Sequence, residues 1–332
     1  MNRHSELELL LEAARLYYED SLTQQEVGEA LGVSRPTVSR LLAQARQEGI
    51  VQIKVVDPLA THDEMEARLE EVFSLRKVLI VAGDGVPGDR LEGRLGLAAA
   101  RYLHAVLEDG ALVGIGWGRT LHAVAEALES AGSRAGSRSG RVGERQIGIQ
   151  VFPLIGGLGQ LSPSLQVNEL ARRLADAFGG TWRPLFAPAF VDDDVATQSL
   201  VQVPDVAEII ETWPRLDVAL VGIGHFAMHR QSSMLFGNYL DEALLNELEQ
   251  RGAVGDLCGR FLDGRGQQCL VEPGVIGISL KQLKTMNHVV GVAGGEKKAR
   301  AILGVLRGGY LDVLVTDTTA ARAMLQATEN HG

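Results

Sequence analysis

Apolar residues fall into two rhythms along this chain: helical spacing up to about residue 49, then short apolar runs ending in glycine from residue 76 onward. Over 4–19, Leu7, Leu10, Leu11, Ala14 and Tyr18 line one side of an amphipathic helix. The stretch TQQEVGEALGVSRPTVSRLLAQARQEG (23–49) predicts two short helices broken by a tight turn. Thr23 caps the first, and Glu26 three residues on completes a capping box ahead of Val27, Ala30 and Leu31. Gly32 supplies the turn, and Ser34 caps the second helix with Pro36 inside its first turn. Val38, Leu41, Leu42 and Ala45 form that helix's buried stripe. IVQIKVV (50–56) is β-rich and suits the wing of a winged variant, where Lys54 could touch a phosphate backbone. Asp57-Pro58 marks a boundary, and 62–74 reads as a polar linker helix.

The second rhythm is that of an α/β domain. KVLIVAG (77–83), ALVGIGWG (111–118), IQVFPLIGG (149–157), DVALVGIG (217–224), HVVGVAGG (288–295) and LDVLVTD (311–317) read as strands. Helices follow at 120–129, 166–178, 296–307 and 318–327. Such alternation implies a mainly parallel sheet. Domains are therefore expected at 1–56 (helix-turn-helix), 57–75 (linker and linker helix) and 76–332 (α/β). The Gly/Ser/Arg stretch at 130–146 reads as a solvated loop rather than a second nucleic-acid contact.

The outward face of the second short helix carries Arg35, Thr37, Ser39, Arg40 and Gln44, side chains that reach phosphates and base edges. With Thr23, Gln24 and Ser34 at the two helix starts, these are the candidate DNA contacts. Charge at first argues against this, since the 332-residue chain carries −10 overall and residues 1–56 carry −2. Position outweighs the sum. Glu6, Glu8, Glu12 and Glu19 belong to the leading helix, whereas 35–49 hold three arginines and one glutamate. Phosphate attraction acts within a Debye length, about 8 Å in physiological salt. An acidic remainder suppresses loose binding and suits a site-specific reader.

A 45% apolar content supports a sizeable core, yet no apolar run approaches the roughly 18 residues a membrane span needs. The acidic N-terminus has no signal-peptide pattern, so a cytoplasmic protein is expected. Cys258 and Cys269 fit neither a CxxC motif nor a disulfide framework and read as free thiols.

Ligands of open α/β sheets sit beyond the carboxyl ends of the strands, where small residues let backbone N–H groups approach an anion. Gly116-Trp117-Gly118-Arg119-Thr120 is the best such loop, with Arg119 and the Thr120 hydroxyl suited to a phosphate. Gly156-Gly157-Leu158-Gly159 and Gly294-Gly295-Glu296-Lys297-Lys298 are two more. None matches a P-loop or a dinucleotide fingerprint, so no ATP, NAD or other cofactor is expected.

The helix-turn-helix together with GIGWGRTL, PLIGGLG, DVALVGIG, GAVGDLCGRFLDGRG and VAGGEKKARAI resembles the SorC/DeoR-type sugar-binding transcriptional regulators along essentially the whole chain. The resemblance implies a C-terminal Rossmann-like domain similar to sugar-phosphate isomerases and CoA transferases, sensing a sugar, polyol or sugar phosphate. It also implies a homotetramer on palindromic operator DNA, and regulation of a carbohydrate-catabolism operon. By that resemblance Gly116, Gly118, Arg119 and Thr120 form the phosphate loop, although the family often has a second hydroxyl where Arg119 stands. Gly157 belongs to the second loop, and Gln166 and Asn168 match a sugar-hydroxyl reader, apt because an amide both donates and accepts. Asp256 matches an acidic acceptor, and Gly294, Gly295 and Lys298 match the basic loop. Lys298 suits an ion pair with an anion; a Schiff base with an aldehyde sugar requires a depressed pKa.

The alternative is a sugar-phosphate isomerase or deaminase with an accessory DNA-binding module. It needs a general base beside the loops, and Asp256 stands without a His–carboxylate pair. Asp192-Asp193-Asp194 reads as a solvated loop, and His225 with His229 lacks a third ligand, so no metal is expected. Asp263 reads as a turn cap, while Trp117 fits either a sugar face or the core.

Overall fold

The structure is a computed structural model that describes residues 3–20, 22–48, 50–51, 62–134, 147–159, 161–191, 193–226, 242–269 and 274–329. It divides into two compact units, Met1–Asp57 and Pro58–Gly332.

The first unit holds α1 (Arg3–Tyr18), α2 (Gln24–Leu31) and α3 (Arg35–Gln47). The Thr23–Glu26 capping box forms in both directions. Gly32 closes α2 in the left-handed region at φ 66°, and the Ser34 hydroxyl accepts from the Thr37 N–H to open α3. Leu10, Ala13 and Ala14 of α1 meet Val27, Val38, Leu41, Leu42 and Ala45 in one buried cluster. Three expected apolar positions differ: Leu11, Tyr18 and Ala30 face solvent. Gly28 takes the inward place on α2 because α3 starts too close for a side chain. A Cβ there would lie 2.8 Å from the Val33 carbonyl oxygen. Gly28→Ala is accordingly expected to lower the stability of this unit by about 1–3 kcal/mol through overpacking. A urea midpoint equal to wild type would show that the α2–α3 turn can yield. Ile50 and Val51 pack on the same cluster. The rest of the expected wing, Lys54 included, lies outside the described residues.

The second unit is built on a parallel sheet of β1 (Lys77–Val81), β2 (Leu112–Ile115), β3 (Gln150–Pro153), β4 (Thr181–Trp182), β5 (Val218–Gly222), β9 (Val289–Val292) and β10 (Val313–Asp317). Its order is β1-β10-β9-β5-β2-β3-β4. Successive residues serve opposite faces, as the two-residue period of a strand requires. Val218 and Leu220 join the cluster under α5 (Gly88–Val106), α6 (Arg119–Arg134) and α7 (Val167–Phe178). Ala219 and Val221 join the cluster on the other face. That face is covered by α4 (Asp63–Phe73), α9 (Pro204–Thr212, which follows α8, Asp194–Val201), α11 (Leu280–Thr285), α12 (Ala299–Gly308) and α13 (Thr318–Glu329). Helix α10 (Glu242–Gln250) precedes a small antiparallel sheet of β6 (Gly224–His225), β7 (Ala253–Leu257) and β8 (Arg260–Asp263). The β7–β8 turn is Cys258-Gly259, with φ of 47° and 76°, the positive pair that a two-residue hairpin loop demands.

Helix α4, polar enough to read as a linker, lies along the sheet's edge. Leu69 is fully buried, and two carboxylates meet outward N–H groups of edge strand β1. Glu66 accepts from Ile80 N–H at 2.8 Å, and Glu70 accepts from Val78 N–H at 2.8 Å. Edge donors are thereby satisfied, which accounts for Glu66 and Glu70. Beyond the expected elements the fold adds α5, α8, α9, α10, α11, β4 and the small sheet, and α6 runs on to Arg134. The remainder of the 130–146 stretch lies outside the described residues.

Candidate functional site

On the first unit, Arg35, Ser39 and Arg40 are exposed along α3, with Thr37 and Gln44 half-buried beside them. Arg35 and Arg40 make no ion pair among the described residues, so their guanidinium groups are open to an external anion. The other polar candidates are engaged locally. Ser34 Oγ lies 2.8 Å from Thr37 Oγ1. Gln44 donates to Glu48 at 2.8 Å. Thr23 donates to Glu26 at 2.8 Å, an acid held below its usual range by the Thr23 N–H and hydroxyl. Gln24 starts α2 and is half-buried.

On the second unit, the connection leaving β2 runs toward β3, and the chain after β5 returns at β9 on the opposite side. The sheet's switch point therefore lies between β2 and β5, where open α/β sheets form a ligand crevice. Gly116 follows β2 there, and a Cβ on it would sit 3.6 Å from Cys258 Sγ, so the β7–β8 hairpin abuts this loop. Gly118 takes φ 119° and leads into α6, whose first-turn N–H groups have no intrahelical acceptor. Thr120 is 7% exposed, and its hydroxyl finds no partner among the described residues. Lys298, in the 3₁₀ turn Glu296–Lys298 after β9, reaches back and donates to the Ile223 carbonyl at 2.9 Å. The residue is half-buried, but its amine end is enclosed. Burial pushes the ammonium below the usual lysine range; Glu92 and Asp256 favour the charged form, and Arg119 opposes it. No ion pair to Lys298 exists among the described residues.

Arg119 sits at the rim and pairs with Glu92 of α5 at 3.2 Å. Asp256 is buried in β7 and accepts from Gly259 N–H at 3.1 Å. Burial, reinforced by Asp256, pushes the Cys258 thiol up to about 12, so it is inert. Both cysteines are buried thiols outside any disulfide.

Three expected contacts have other work. Gln166 donates to the Leu158 and Leu161 carbonyls and accepts from Leu158 N–H, so no donor remains for a sugar hydroxyl. Its place at the start of α7 makes it the clasp of the second loop, beside Gly157. Asn168 grips Leu185 through both its oxygen (2.9 Å) and its nitrogen (3.2 Å). The Gly295 N–H, expected to face an anion, donates to the Asp317 carboxylate instead. Gly294 is glycine for packing: a Cβ there would lie 2.6 Å from Asp317 Oδ2. The structure thus unites Gly116, Gly118, Arg119, Thr120, Asp256 and Lys298, with Gln166, Asn168, Gly157, Gly294 and Gly295 as framework. It adds Glu92 and Asp317, which the sequence reading did not single out.

Trp117 is buried in the core with its ring 6.4 Å from that of Phe190. Asp193 caps α8 and Asp263 caps its turn. Asp192 and His229 lie outside the described residues, among which no cluster of metal ligands occurs. Nor, among the described residues, is any helix long and apolar enough to cross a membrane.

A helix-turn-helix unit joined to an α/β unit whose strand order reverses between β2 and β5 fits the class of ligand-responsive DNA-binding regulators. A family model described as a sugar-binding domain matches residues 57–326, and a Crp-like helix-turn-helix domain matches residues 7–62. The chain belongs to the SorC/DeoR-type family of sugar-binding transcriptional regulators. It is 32% identical to the deoxyribonucleoside regulator of Bacillus subtilis (strain 168), over 96% of this chain and 97% of that one. It is 30% identical to the sorbitol operon regulator of Klebsiella pneumoniae, over 98% of this chain and 100% of that one. The crystal structure of the full-length Klebsiella regulator matches with a TM-score of 0.70 at 28% identity, covering 96% of this chain and 99% of that one. The protein is a sugar-responsive, DNA-binding transcriptional regulator.

Proposed function

We propose that the effector is a sugar bearing an anionic group, a phosphate above all, and that it binds in the crevice between β2 and β5. The observation that carries this reading is the enclosed Lys298 amine, which has no carboxylate partner among the described residues. A buried ammonium without a counter-ion is unfavourable until an anion arrives. The Thr120 hydroxyl and the N-terminus of α6 stand ready for the same group, and Asp256 supplies an acceptor for sugar hydroxyls. Residues 1–56 carry the output, 57–75 join it to the effector-binding and oligomerisation domain over 76–332, and the chain acts as a cytoplasmic homotetramer on a palindromic operator of a carbohydrate-catabolism operon. Its role is regulatory and not catalytic, so purified protein is expected to turn over no sugar phosphate.

A thermal-shift screen against sugars, polyols and their phosphates tests the crevice, with hits then assayed for their influence on operator binding. Stabilisation by unphosphorylated polyols alone would remove the anionic effector. For the output end, Thr23, Gln24, Ser34, Arg35, Thr37, Ser39, Arg40 and Gln44 form the DNA face. Arg40→Ala should weaken operator binding by roughly five- to a hundredfold, the loss of about 1–3 kcal/mol expected for one arginine contact. Its oligomeric state should not change. Undiminished operator affinity in a gel-shift titration would remove Arg40 from the DNA face.

A further inference from the structure

Arg119 and Glu92 form a second charged pair at the crevice that the anion-binding reading leaves unused. Their side chains are 58% and 25% exposed, and one guanidinium nitrogen meets one carboxylate oxygen at 3.2 Å. The contact is a rim ion pair in reach of water, of the kind that holds weakly and yields to a better partner. Both groups also act on Lys298: Glu92 favours its ammonium and Arg119 opposes it. All three side chains therefore share one local field. Arg119 is moreover the first residue of α6, so its side chain departs from the helix N-terminus that the effector's anion would meet.

We propose that Arg119 and Glu92 are an exchangeable latch that selects phosphorylated effectors: a phosphate group in the crevice takes Arg119 from Glu92. The proposal rests on the anionic-effector reading above. The exchange follows from charge and shape. A phosphate monoester brings close to two negative charges and three acceptor oxygens. Against it, a guanidinium fork can make two parallel hydrogen bonds, more than the single contact Glu92 offers. Once the phosphate is seated, Glu92 becomes a like-charged neighbour, which favours its release. A neutral sugar lacks the charge to displace the carboxylate and leaves the pair intact. Selectivity comes from Glu92 as a competitor as much as from Arg119 as a ligand.

Calorimetric titration of the full chain with inorganic phosphate at constant ionic strength tests the latch. Glu92→Gln removes the competitor and the repulsion and should tighten phosphate several-fold, while Arg119→Ala should weaken it by about tenfold. Arg119→Lys keeps the charge but loses the fork, so it should also bind several-fold more weakly than wild type. Unchanged phosphate affinity in Arg119→Lys would reduce Arg119 to a distant charge, and in Glu92→Gln would remove the competition; either overturns the latch. Lys298→Met separates this failure from that of the crevice. If it abolishes phosphate binding while the Arg119 variants do not, the crevice stands and the latch falls. If it binds phosphate as wild type does, or if wild type binds none, both fall. Ribose 5-phosphate run beside inorganic phosphate distinguishes the sources of the group. Tighter binding of the ester supports a sugar-borne phosphate, and equal affinity overturns that part.

Discussion

Lys298→Met is expected to bind operator like wild type and to ignore the effector at concentrations that saturate wild type. The lost contact is a charge-assisted hydrogen bond in an enclosed site, worth about 1.5–3 kcal/mol, or roughly tenfold to more than a hundredfold in affinity. The variant should fold, because methionine replaces an enclosed, pKa-depressed ammonium with an apolar chain of similar length. Its unliganded melting temperature should stay level or rise, an outcome that a purely structural lysine would not give. The pH dependence of the wild type follows from the same burial. Burial lowers the folded-state lysine pKa below 10.5. An anion prefers the protonated amine, so affinity is full below that lowered value and declines as pH rises through it. In the variant this alkaline decline should vanish. Operator gel shifts with and without effector, with calorimetry across pH, provide the readouts; an effector-responsive Lys298→Met would place the anion elsewhere.

Features set by neighbours in sequence were legible before the structure. The Thr23–Glu26 box, the Ser34 cap, the Gly32 turn and the Asp263 turn cap all depend on partners within four residues, and all form. Strands β1, β2, β3, β5, β9 and β10 were visible because a sheet covered on both faces writes near-continuous apolar runs. Features set by distant partners were not. Glu66 and Glu70 look like solvated acids until β1 lies beside them. Gln166 and Asn168 look like free amides, since nothing local announces that Leu158, Leu161 and Leu185 absorb them. Glu92 escaped notice with its helix, although its distance of 3.2 Å from Arg119 places it at the crevice. Gly28 could have been found: a glycine at a helix position due an apolar residue signals close backbone approach.

The second large effect is expected at Asp317, whose importance is likewise a matter of distant contacts. Its carboxylate is fully buried at the end of β10. One oxygen accepts from the Thr319 N–H at 2.8 Å and the Ala320 N–H at 3.4 Å, capping α13, and the other accepts from the Gly295 N–H. Gly83 and Gly294 are glycines to make room for it, since a Cβ on either would lie within 2.1 and 2.6 Å of its oxygens. Asp317→Ala strands these donors in a dry cavity, a loss of about 3–5 kcal/mol by analogy with other broken buried charge networks. The melting temperature should fall by roughly 5–15 °C. Asn is no rescue, because its amide nitrogen would face one of the backbone donors, and Glu has no space. Function should suffer as well as stability. Lys298 N–H donates to the Gly295 carbonyl at 2.9 Å, so the backbone that Asp317 holds is the one that aims Lys298 into the crevice. Effector affinity measured well below the lowered melting point should therefore drop, while operator binding by the α2–α3 unit persists. A variant that melts within about a degree of wild type would show that α13 and the Gly294-Gly295 loop are held by packing alone.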